Sequence, residues 1–307
     1  MQNSTKIKVG IVRGGVGQHY ASSLKKGGEI IFHIFENLSD KYRPVDILID
    51  KNNVWHYCGV SVNPQDLIHK VDIVWNVALP EVSMILENFS IPHISNNTFS
   101  EILENSRELL EEHMKNIDVK MPRRIVLPLY QKDFDGPKDK YIIKKAREIF
   151  EKFGAPWIVK SFTPDLNMGI HLAKTYEELI NGIENGVNHQ KSVLIEEFIT
   201  GKAGCVYSVP MFRREDIYVF LPQNLSVDEK EKITSVIKNL HHHINAKHYL
   251  KSDFILHPRR GFFLTSIDLS PDLRDGSHFK QACESVGAKM HHVIEHILKN
   301  SLDSNKK

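Results

Sequence analysis

The chain has few cysteines, no long apolar run and almost no net charge. Its three cysteines, Cys58, Cys205 and Cys283, are far apart and odd in number, which argues against a disulfide framework and against a zinc cluster. No apolar stretch approaches the ~20 residues that cross a bilayer. Lys and Arg number 40 against 38 Asp and Glu, and a net charge of +2 gives no field that attracts nucleic acid or a membrane. We expect a cytoplasmic protein with small-molecule partners.

The N-terminal part of the chain has the pattern of an α/β domain. A chain of 307 residues exceeds what one hydrophobic core usually organises, so more than one domain is expected. The first apolar run leads into Gly14 and Gly15, where glycine allows backbone angles closed to other residues. Short apolar runs predict successive strands of a parallel sheet with helical crossovers, at residues 7–12, 46–49, 71–77 and 91–94. We therefore predict an N-terminal domain over residues 1–97.

Further along the chain, two periodicities alternate. Apolar residues at helical spacing predict helices over residues 98–114, 141–153, 176–186, 228–244 and 280–298. Apolar runs predict strands over residues 123–129, 157–160, 170–173, 193–198, 252–256 and 262–267. We place a central subdomain at residues 98–192, a C-terminal subdomain at 193–302 and a tail at 303–307, and we expect residues 301–307 to be disordered.

Three motifs in the middle of the chain keep a fixed order and spacing: FGAPWIVK at residues 153–160, MGI at 168–170 and VLIEEFITG at 193–201. This arrangement resembles the nucleotide-binding half of an ATP-grasp domain. The resemblance implies that Lys160 contacts ATP phosphates and that the loop with Gly169 covers them. It also implies that Glu196, Glu197 and Phe198 line the adenine pocket.

The end of the chain resembles the metal site of the D-alanine:D-alanine ligases, a family of the ATP-grasp superfamily. The resemblance implies that Asp253 and Asp268 bind Mg²⁺, which prefers carboxylate and phosphate oxygens. Lys251 stands two residues before Asp253, where the family has an Arg that stabilises the tetrahedral intermediate. Lys251 and Ser277 are therefore the catalytic residues that the resemblance implies.

With Gly14 and Gly15 at the front, the resemblance covers nearly the whole chain. It places Gly14, Gly15 and His19 at the first substrate. It implies an α/β ATP-grasp fold, in which an N-terminal parallel-sheet domain precedes a two-part ATP-grasp domain. It further implies ATP and Mg²⁺ as cofactors, an amino acid or dipeptide as substrate, and an acyl-phosphate reaction in peptidoglycan precursor synthesis. A homodimer is compatible with it.

Several positions depart from the family pattern. Ser266 stands where the family has a metal-binding Glu, and Asp268 replaces its Asn. Ala203 replaces the ribose-contacting Glu, and His19 the Glu that binds the first amine. Asp165 lies in the phosphate loop, and residues 211–220 are too few for the family's lid.

These departures leave two functional hypotheses open. The first is an ATP-dependent carboxylate–amine ligase, and the second is a non-catalytic or weakly active ATP-grasp paralogue that binds a partner or metabolite. A nicotinamide enzyme is disfavoured because Tyr20 occupies the last glycine position of a dinucleotide fingerprint. We interpret the histidines at 241–243, with His292 and His296, as helix-surface residues rather than metal ligands, and residues 259–261 as a hairpin turn.

Overall fold

Strands and helices alternate along the chain in a computed structural model that describes residues 6–17, 19–163, 168–211, 216–270, 272–274 and 276–304. Strands β1 to β14 span Ile7–Gly14, Tyr42–Ile49, Trp55–Tyr57, Val60–Ser61, Ile73–Asn76, His93–Ile94, Arg124–Leu127, Trp157–Ser161, His171–Ala173, Val193–Glu197, Lys202–Pro210, Ile217–Phe220, Leu250–His257 and Gly261–Asp268. Helices α1 to α10 span Tyr20–Asn37, Pro80–Asn88, Thr98–Asn105, Arg107–Asn116, Tyr130–Asp133, Lys138–Lys152, Tyr176–Asn188, Val227–His243, His278–Glu284 and Met290–Ser304.

The N-terminal sheet has the strand order β4-β3-β2-β1-β5-β6. Strand β1 pairs in parallel with β2 and β5, and β5 pairs in parallel with β6, so the predicted parallel sheet is confirmed. Alternate residues of β1 enter different cores. Val9 and Ile11 pack with residues of α1 and α10, whereas Val12 packs with residues of α2. Both faces of the sheet are therefore buried at β1, which explains its run of four consecutive buried residues from Val9 to Val12.

A second sheet is antiparallel, with the order β7-β10-β8-β9. Its core contains Val159 and Ile195 from the strands together with buried residues of α6 and α7. Helix α7 begins with a capping box formed by Thr175 and Glu178, which satisfies backbone donors at the helix start. Because side chains alternate across a strand, Lys160 and Glu196 lie on the face opposite these helices.

The chain divides into two compact units. Unit 1 is Met1–Asp118, Gly204–Asp253 and Ser266–Lys307, and unit 2 is Val119–Ala203 and Phe254–Thr265. A third sheet, with the order β12-β11-β13-β14, contributes Tyr207, Val209 and Phe220 to the unit 1 core. The three-part division at residues 97 and 192 stays a prediction, because the observed units interleave along the sequence.

Two predicted helices are each interrupted. The helix predicted over residues 98–114 splits at Ser106, whose hydroxyl caps α4 by accepting from the backbone N–H of Leu109. The helix predicted over residues 280–298 splits at Gly287, which has a φ of 76° that ends α9 and turns the chain. Strands β3, β4, β11 and β12 were not predicted from the apolar runs. Helix α10 extends to Ser304, so the prediction of disorder is wrong for residues 301–304.

Candidate nucleotide and substrate site

Lys160 and Glu196 form an ion pair on the face of the unit 2 sheet opposite α6 and α7. Lys160 lies opposite Leu194 on the neighbouring strand, so Glu196 is its diagonal neighbour on the same face. The Lys160 ammonium is 2.5 Å from Glu196 Oε2, and the two side chains are 34% and 21% exposed. A partly exposed ammonium held in this way can contact a phosphate as a point charge. The structure thus brings together two of the residues that the resemblance assigns to ATP.

The other ATP-contact candidates in unit 2 have different surroundings. Gly169 is exposed, while its neighbour Met168 is buried in the core beneath α7. Phe198 follows the end of β10, and its backbone N–H donates to the carbonyl oxygen of Pro156 at 3.0 Å. Asp165 lies outside the described residues. The contacts of Gly169 and Phe198 with nucleotide stay predictions.

Glu197 is on the opposite face from Glu196 and is only 6% exposed. Its carboxylate accepts from Arg123 Nε at 2.9 Å and Nη2 at 3.1 Å, and from Arg260 Nη1 at 2.6 Å. Burial alone raises the pKa of Glu197, but the hydrogen bonds from Arg123 and Arg260 outweigh it and lower the pKa to about 2. We call Arg123, Glu197 and Arg260 the arginine clamp. Its geometry gives Glu197 a structural role in place of the adenine contact that the resemblance implies.

The arginine clamp has no direct signal in the sequence. Arg260 belongs to a turn between two strands, where charged residues are ordinarily solvated, and Arg123 precedes a strand. Both cations also lie over aromatic rings, Arg123 over Phe153 and Arg260 over Phe263. Two consecutive glutamates in a strand are the one available hint, because alternation forces one of them toward the core, where it needs a cation.

In unit 1, the candidate metal ligand Asp253 is bound by other side chains. Lys251 and Asp253 are on one face of β13, and Ser266 lies on the neighbouring strand β14. Asp253 Oδ2 accepts from Lys251 Nζ at 2.8 Å and from Ser266 Oγ at 2.9 Å. Asp268 Oδ1 accepts from the backbone N–H of Ser270 at 2.8 Å, which fixes the turn after β14. We call Lys251, Asp253 and Ser266 the lysine–aspartate cluster.

These residues do not fit the Mg²⁺ site that the resemblance implies. The family has a metal-binding carboxylate where this chain has Ser266, which supplies only a neutral hydroxyl. In the described part of the chain, no group of three or more His, Cys, Asp or Glu side chains is placed to hold a metal. Asp253 and Asp268 as magnesium ligands remain a prediction from the resemblance, and the contacts around Asp253 do not favour it.

Ser277 has a structural function in the folded chain. It is the N-cap residue of α9, and its hydroxyl oxygen accepts from the backbone N–H of Lys280 at 3.2 Å. Such caps stabilise a helix by about 1 kcal/mol. This contact explains a serine at position 277 without catalysis, and its catalytic role stays a prediction.

Gly14 and Gly15 form a tight turn after β1. Gly14 has a φ of 94°, and a Cβ atom there would lie 2.2 Å from the carbonyl oxygen of Ile49, so only glycine fits. The N–H of Gly14 donates to Ser23 Oγ at 2.9 Å, and the N–H of Gly15 donates to the Ile49 carbonyl at 2.8 Å. Both donors are therefore used within the protein. These bonds do not favour a direct contact between a substrate and the N–H group of either glycine.

A cavity of about 340 Å³ lies within unit 1 at the carboxyl ends of the parallel strands. Residues that follow β5 and β6 line it, among them Val77 and Asn96, together with His19 before α1. In open α/β sheets, ligands bind outside the carboxyl ends of the strands. The predicted substrate residue His19 is thus placed where a small ligand can bind.

The sequence analysis missed the acidic wall of this cavity. Helix α3 contributes Glu101 and Glu104, one helical turn apart. Burial raises the pKa of Glu101 to about 7, with further contributions from the charges of Glu104 and Glu81. Burial also raises the pKa of Glu104, although the N–H of Leu269 donates to it at 2.7 Å. The sequence places Glu101 and Glu104 three residues apart on a predicted helix. That spacing alone does not distinguish a helix face that lines a cavity from one that faces solvent.

The raised pKa of Glu101 predicts that the protein loses stability as pH rises. The folded state binds a proton more tightly than the unfolded state, whose carboxyl has the ordinary pKa of 4.5, so stability falls between about pH 4.5 and pH 7. Because Glu101 is only half-buried, we expect an effect on the order of 1 kcal/mol. Thermal unfolding of Glu101→Gln across this range should lack that part of the pH dependence. Glu112→Gln, which changes an exposed carboxylate of α4, should retain it, and an unchanged profile in Glu101→Gln would contradict the assignment.

The histidine-rich segments are not uniformly exposed. His241 is 1% exposed, and its Nδ1 lies 2.8 Å from Ser208 Oγ. His296 is partly buried with its Nε2 2.6 Å from the carbonyl oxygen of Pro210. The interpretation of these two histidines as helix-surface residues is therefore wrong. Their hydrogen bonds join α8 and α10 to β11 and account for them structurally.

Curated relatives of this chain include D-alanine–D-alanine ligases of low identity, while no family model matches it. A D-alanine–D-alanine ligase of Christiangramia forsetii is 22% identical over 329 residues, covering 93% of this chain and 95% of the relative. One from Glaesserella parasuis is 23% identical over 176 residues, covering 50% of this chain and 57% of the relative. The vancomycin/teicoplanin A-type resistance protein VanA of Enterococcus faecium is 19% identical, covering 95% of this chain and 98% of VanA.

Solved structures match the fold over the whole chain. D-alanyl-alanine synthetase A from Vibrio cholerae has a TM-score of 0.71 at 16% identity, covering 98% of this chain and 99% of that one. VanG D-Ala:D-Ser ligase from Enterococcus faecalis has a TM-score of 0.69 at 14% identity, covering 97% and 100%.

The fold is that of the ATP-grasp D-alanine:D-alanine ligases, as the sequence predicted. The chain itself is a divergent protein that resembles these ligases. No described helix is long and apolar enough to span a membrane.

Proposed function

We infer that this chain is an ATP-dependent carboxylate–amine ligase of the D-alanine:D-alanine ligase type. The observation that supports this most strongly is the full-length match in fold, combined with the partly exposed Lys160–Glu196 pair on the unit 2 sheet. A solved relative, D-alanine–D-alanine ligase from Bacillus anthracis, was crystallised with ATP, at a TM-score of 0.65 and 17% identity. We propose ATP as the cofactor and Lys160 as a phosphate contact.

The proposed reaction has two steps. A carboxylate oxygen of the first amino acid attacks the γ-phosphorus of ATP, which forms an acyl phosphate and releases ADP. The neutral amine of the second amino acid then attacks the carbonyl carbon, and phosphate leaves with loss of one proton from the amine. We place the amino acid substrate in the unit 1 cavity beside His19, and the product in cytoplasmic peptidoglycan precursor synthesis.

A second candidate function is a non-catalytic or weakly active paralogue that binds a metabolite or a partner. The lysine–aspartate cluster supports it, because Asp253 is bound to Lys251 and Ser266 rather than being paired with a second carboxylate. Nucleotide would then bind without efficient turnover. The two functions differ in one readout, which is formation of ADP that depends on an added amino acid.

That readout tests the proposal directly. Purified protein would be incubated with ATP, Mg²⁺ and D-alanine, and ADP and dipeptide would be quantified by mass spectrometry. The ligase proposal predicts ADP and dipeptide in equal amounts, and none without D-alanine. ADP that forms at the same rate without any amino acid would contradict it, as would ATP binding with no dipeptide for any D-amino acid tested.

Replacing Lys160 with alanine should weaken ATP binding. The change removes the positive charge that attracts the phosphates. It also leaves the carboxylate of Glu196 without its cation, so that Glu196 repels the phosphates. We expect affinity to fall by about 10-fold to 100-fold, measured by calorimetry. Lys140→Ala is the matched control, because Lys140 is exposed on α6, one of the helices packed on the opposite face of the same sheet. Equal affinities for wild type and Lys160→Ala would show that Lys160 has no phosphate contact.

A further inference from the structure

The lysine–aspartate cluster differs chemically from a magnesium site, because its cation is part of the chain. Lys251 and Asp253 are two residues apart on β13, so their side chains share one face of the strand. Ser266 reaches the same carboxylate oxygen from the neighbouring strand β14, which fixes the orientation of the carboxylate. A divalent ion could bind Asp253 Oδ2 only by displacing both donors.

An ammonium in this position supplies one positive charge, against two for a divalent metal ion, and it donates hydrogen bonds instead of coordinating ligands. Lys251 has three N–H donors, and Asp253 takes one of them at 2.8 Å. A lysine ammonium is a compact point charge that commonly binds phosphate in proteins. Its stem comes from a strand between two others in the sheet, so the charge is positioned before any ligand arrives.

We propose that Lys251, oriented by Asp253 and Ser266, supplies the positive charge that a divalent metal would otherwise supply, so that this chain binds nucleotide without Mg²⁺. The inference rests on the proposed function, because it requires ATP to bind. Asp253 acts as a positioning residue for Lys251 rather than as a metal ligand. This arrangement also accounts for Ser266, which stands where the family has a glutamate. A second negative charge beside Asp253 is unnecessary if the site holds no metal ion.

The test is ATP binding by calorimetry with excess EDTA and with millimolar Mg²⁺. For the wild type we expect dissociation constants that agree within about threefold in the two conditions. For Lys251→Met, which keeps the length of the side chain and removes its charge, we expect affinity in EDTA to fall by about tenfold or more. Mg²⁺ should restore part of the ATP affinity that Lys251→Met loses, because Asp253 no longer has a bound cation and can bind the metal ion.

Two controls separate this effect from misfolding. Lys238→Met removes an exposed lysine of α8 that pairs with Asp216, and it should leave ATP affinity unchanged in both conditions. Lys251→Arg keeps the charge and should bind ATP in EDTA better than Lys251→Met. Thermal unfolding of each variant checks that unit 1 is folded.

The possible outcomes distinguish failure of this inference from failure of the proposed function. Wild-type binding that strengthens more than about tenfold with Mg²⁺ overturns the inference and leaves the ligase proposal standing. Unchanged affinity of Lys251→Met in EDTA also overturns it. If ATP does not bind in either condition, the inference and the proposed function both fail.

Discussion

Glu197→Gln is expected to destabilise unit 2 by about 3 kcal/mol, because it removes the charge of a buried carboxylate that accepts hydrogen bonds from two half-exposed arginines. Glu197 joins strand β10 to Arg123 before β7 and to Arg260 in the turn between β13 and β14. A hydrogen bond to a charged group contributes about 1.5 to 3 kcal/mol, and Glu197→Gln weakens the bonds to both arginines at once. The change should appear as earlier urea unfolding and as faster hydrogen exchange in β10 and β8.

The same residue predicts a defined pH dependence. The pKa of Glu197 is about 2 in the folded protein, against an ordinary value of 4.5 in the unfolded chain, so its contribution is present above about pH 4.5 and is lost as pH falls toward 2. The stability difference between wild type and Glu197→Gln should therefore shrink over that range. Glu196→Gln is the matched control on the same strand, where a partly exposed pair contributes about 1 kcal/mol or less. Equal effects of the two substitutions would contradict the arginine clamp.

The second large effect concerns turnover, which we expect to be far slower than in an ordinary enzyme. Ser266 replaces a metal-bridging carboxylate, His19 replaces an amine-binding one, and Ala203 removes a ribose acceptor. Loss of one transition-state contact commonly lowers a rate by about 10²-fold to 10³-fold. Losses that act on separate steps compound, so we expect phosphate release at least about 10⁴-fold below the usual 1 to 10³ per second.

Restoring the family residues tests the cause of that slow rate. Ser266→Glu combined with Asp268→Asn recreates the implied metal ligands, and with Mg²⁺ it should release phosphate faster than the wild type. Within the predicted short lid segment, residues 212–215 lie outside those that the structure describes. A wild-type rate within the ordinary enzyme range would show that other residues have taken over the missing roles.

The fold was predictable from the sequence because buried strands have a strong local signal. In β1, Val9 and Ile11 enter the core on one face of the parallel sheet and Val12 enters the core on the other, so the strand is buried continuously from Val9 to Val12. Strand β11 was missed because its first four residues are not buried, and β12 because it spans only four residues. The breaks at Ser106 and Gly287 were missed because the apolar period continues across them, and the breaks depend on a cap and on a left-handed turn.

The candidate site was less predictable because its contacts join residues far apart in sequence. Lys160 and Glu196 share one sheet face, since the alternation along two paired strands fixes which side chains lie together. Arg260 reaches Glu197 only because the turn between β13 and β14 lies beside the end of β10. No local sequence pattern predicts this contact. The pairing of Asp253 with Lys251 was within reach, because residues two apart in a strand share a face.

The most direct test of the central claim is to follow oxygen from substrate to phosphate. D-alanine labelled with ¹⁸O in its carboxylate would be incubated with ATP and the protein, and the released phosphate would be analysed by mass spectrometry. Attack of the carboxylate on the γ-phosphorus predicts one ¹⁸O atom in phosphate for each dipeptide formed, however slowly. Phosphate that carries no label would show that water rather than the carboxylate attacks ATP, and would contradict the proposal of a carboxylate–amine ligase.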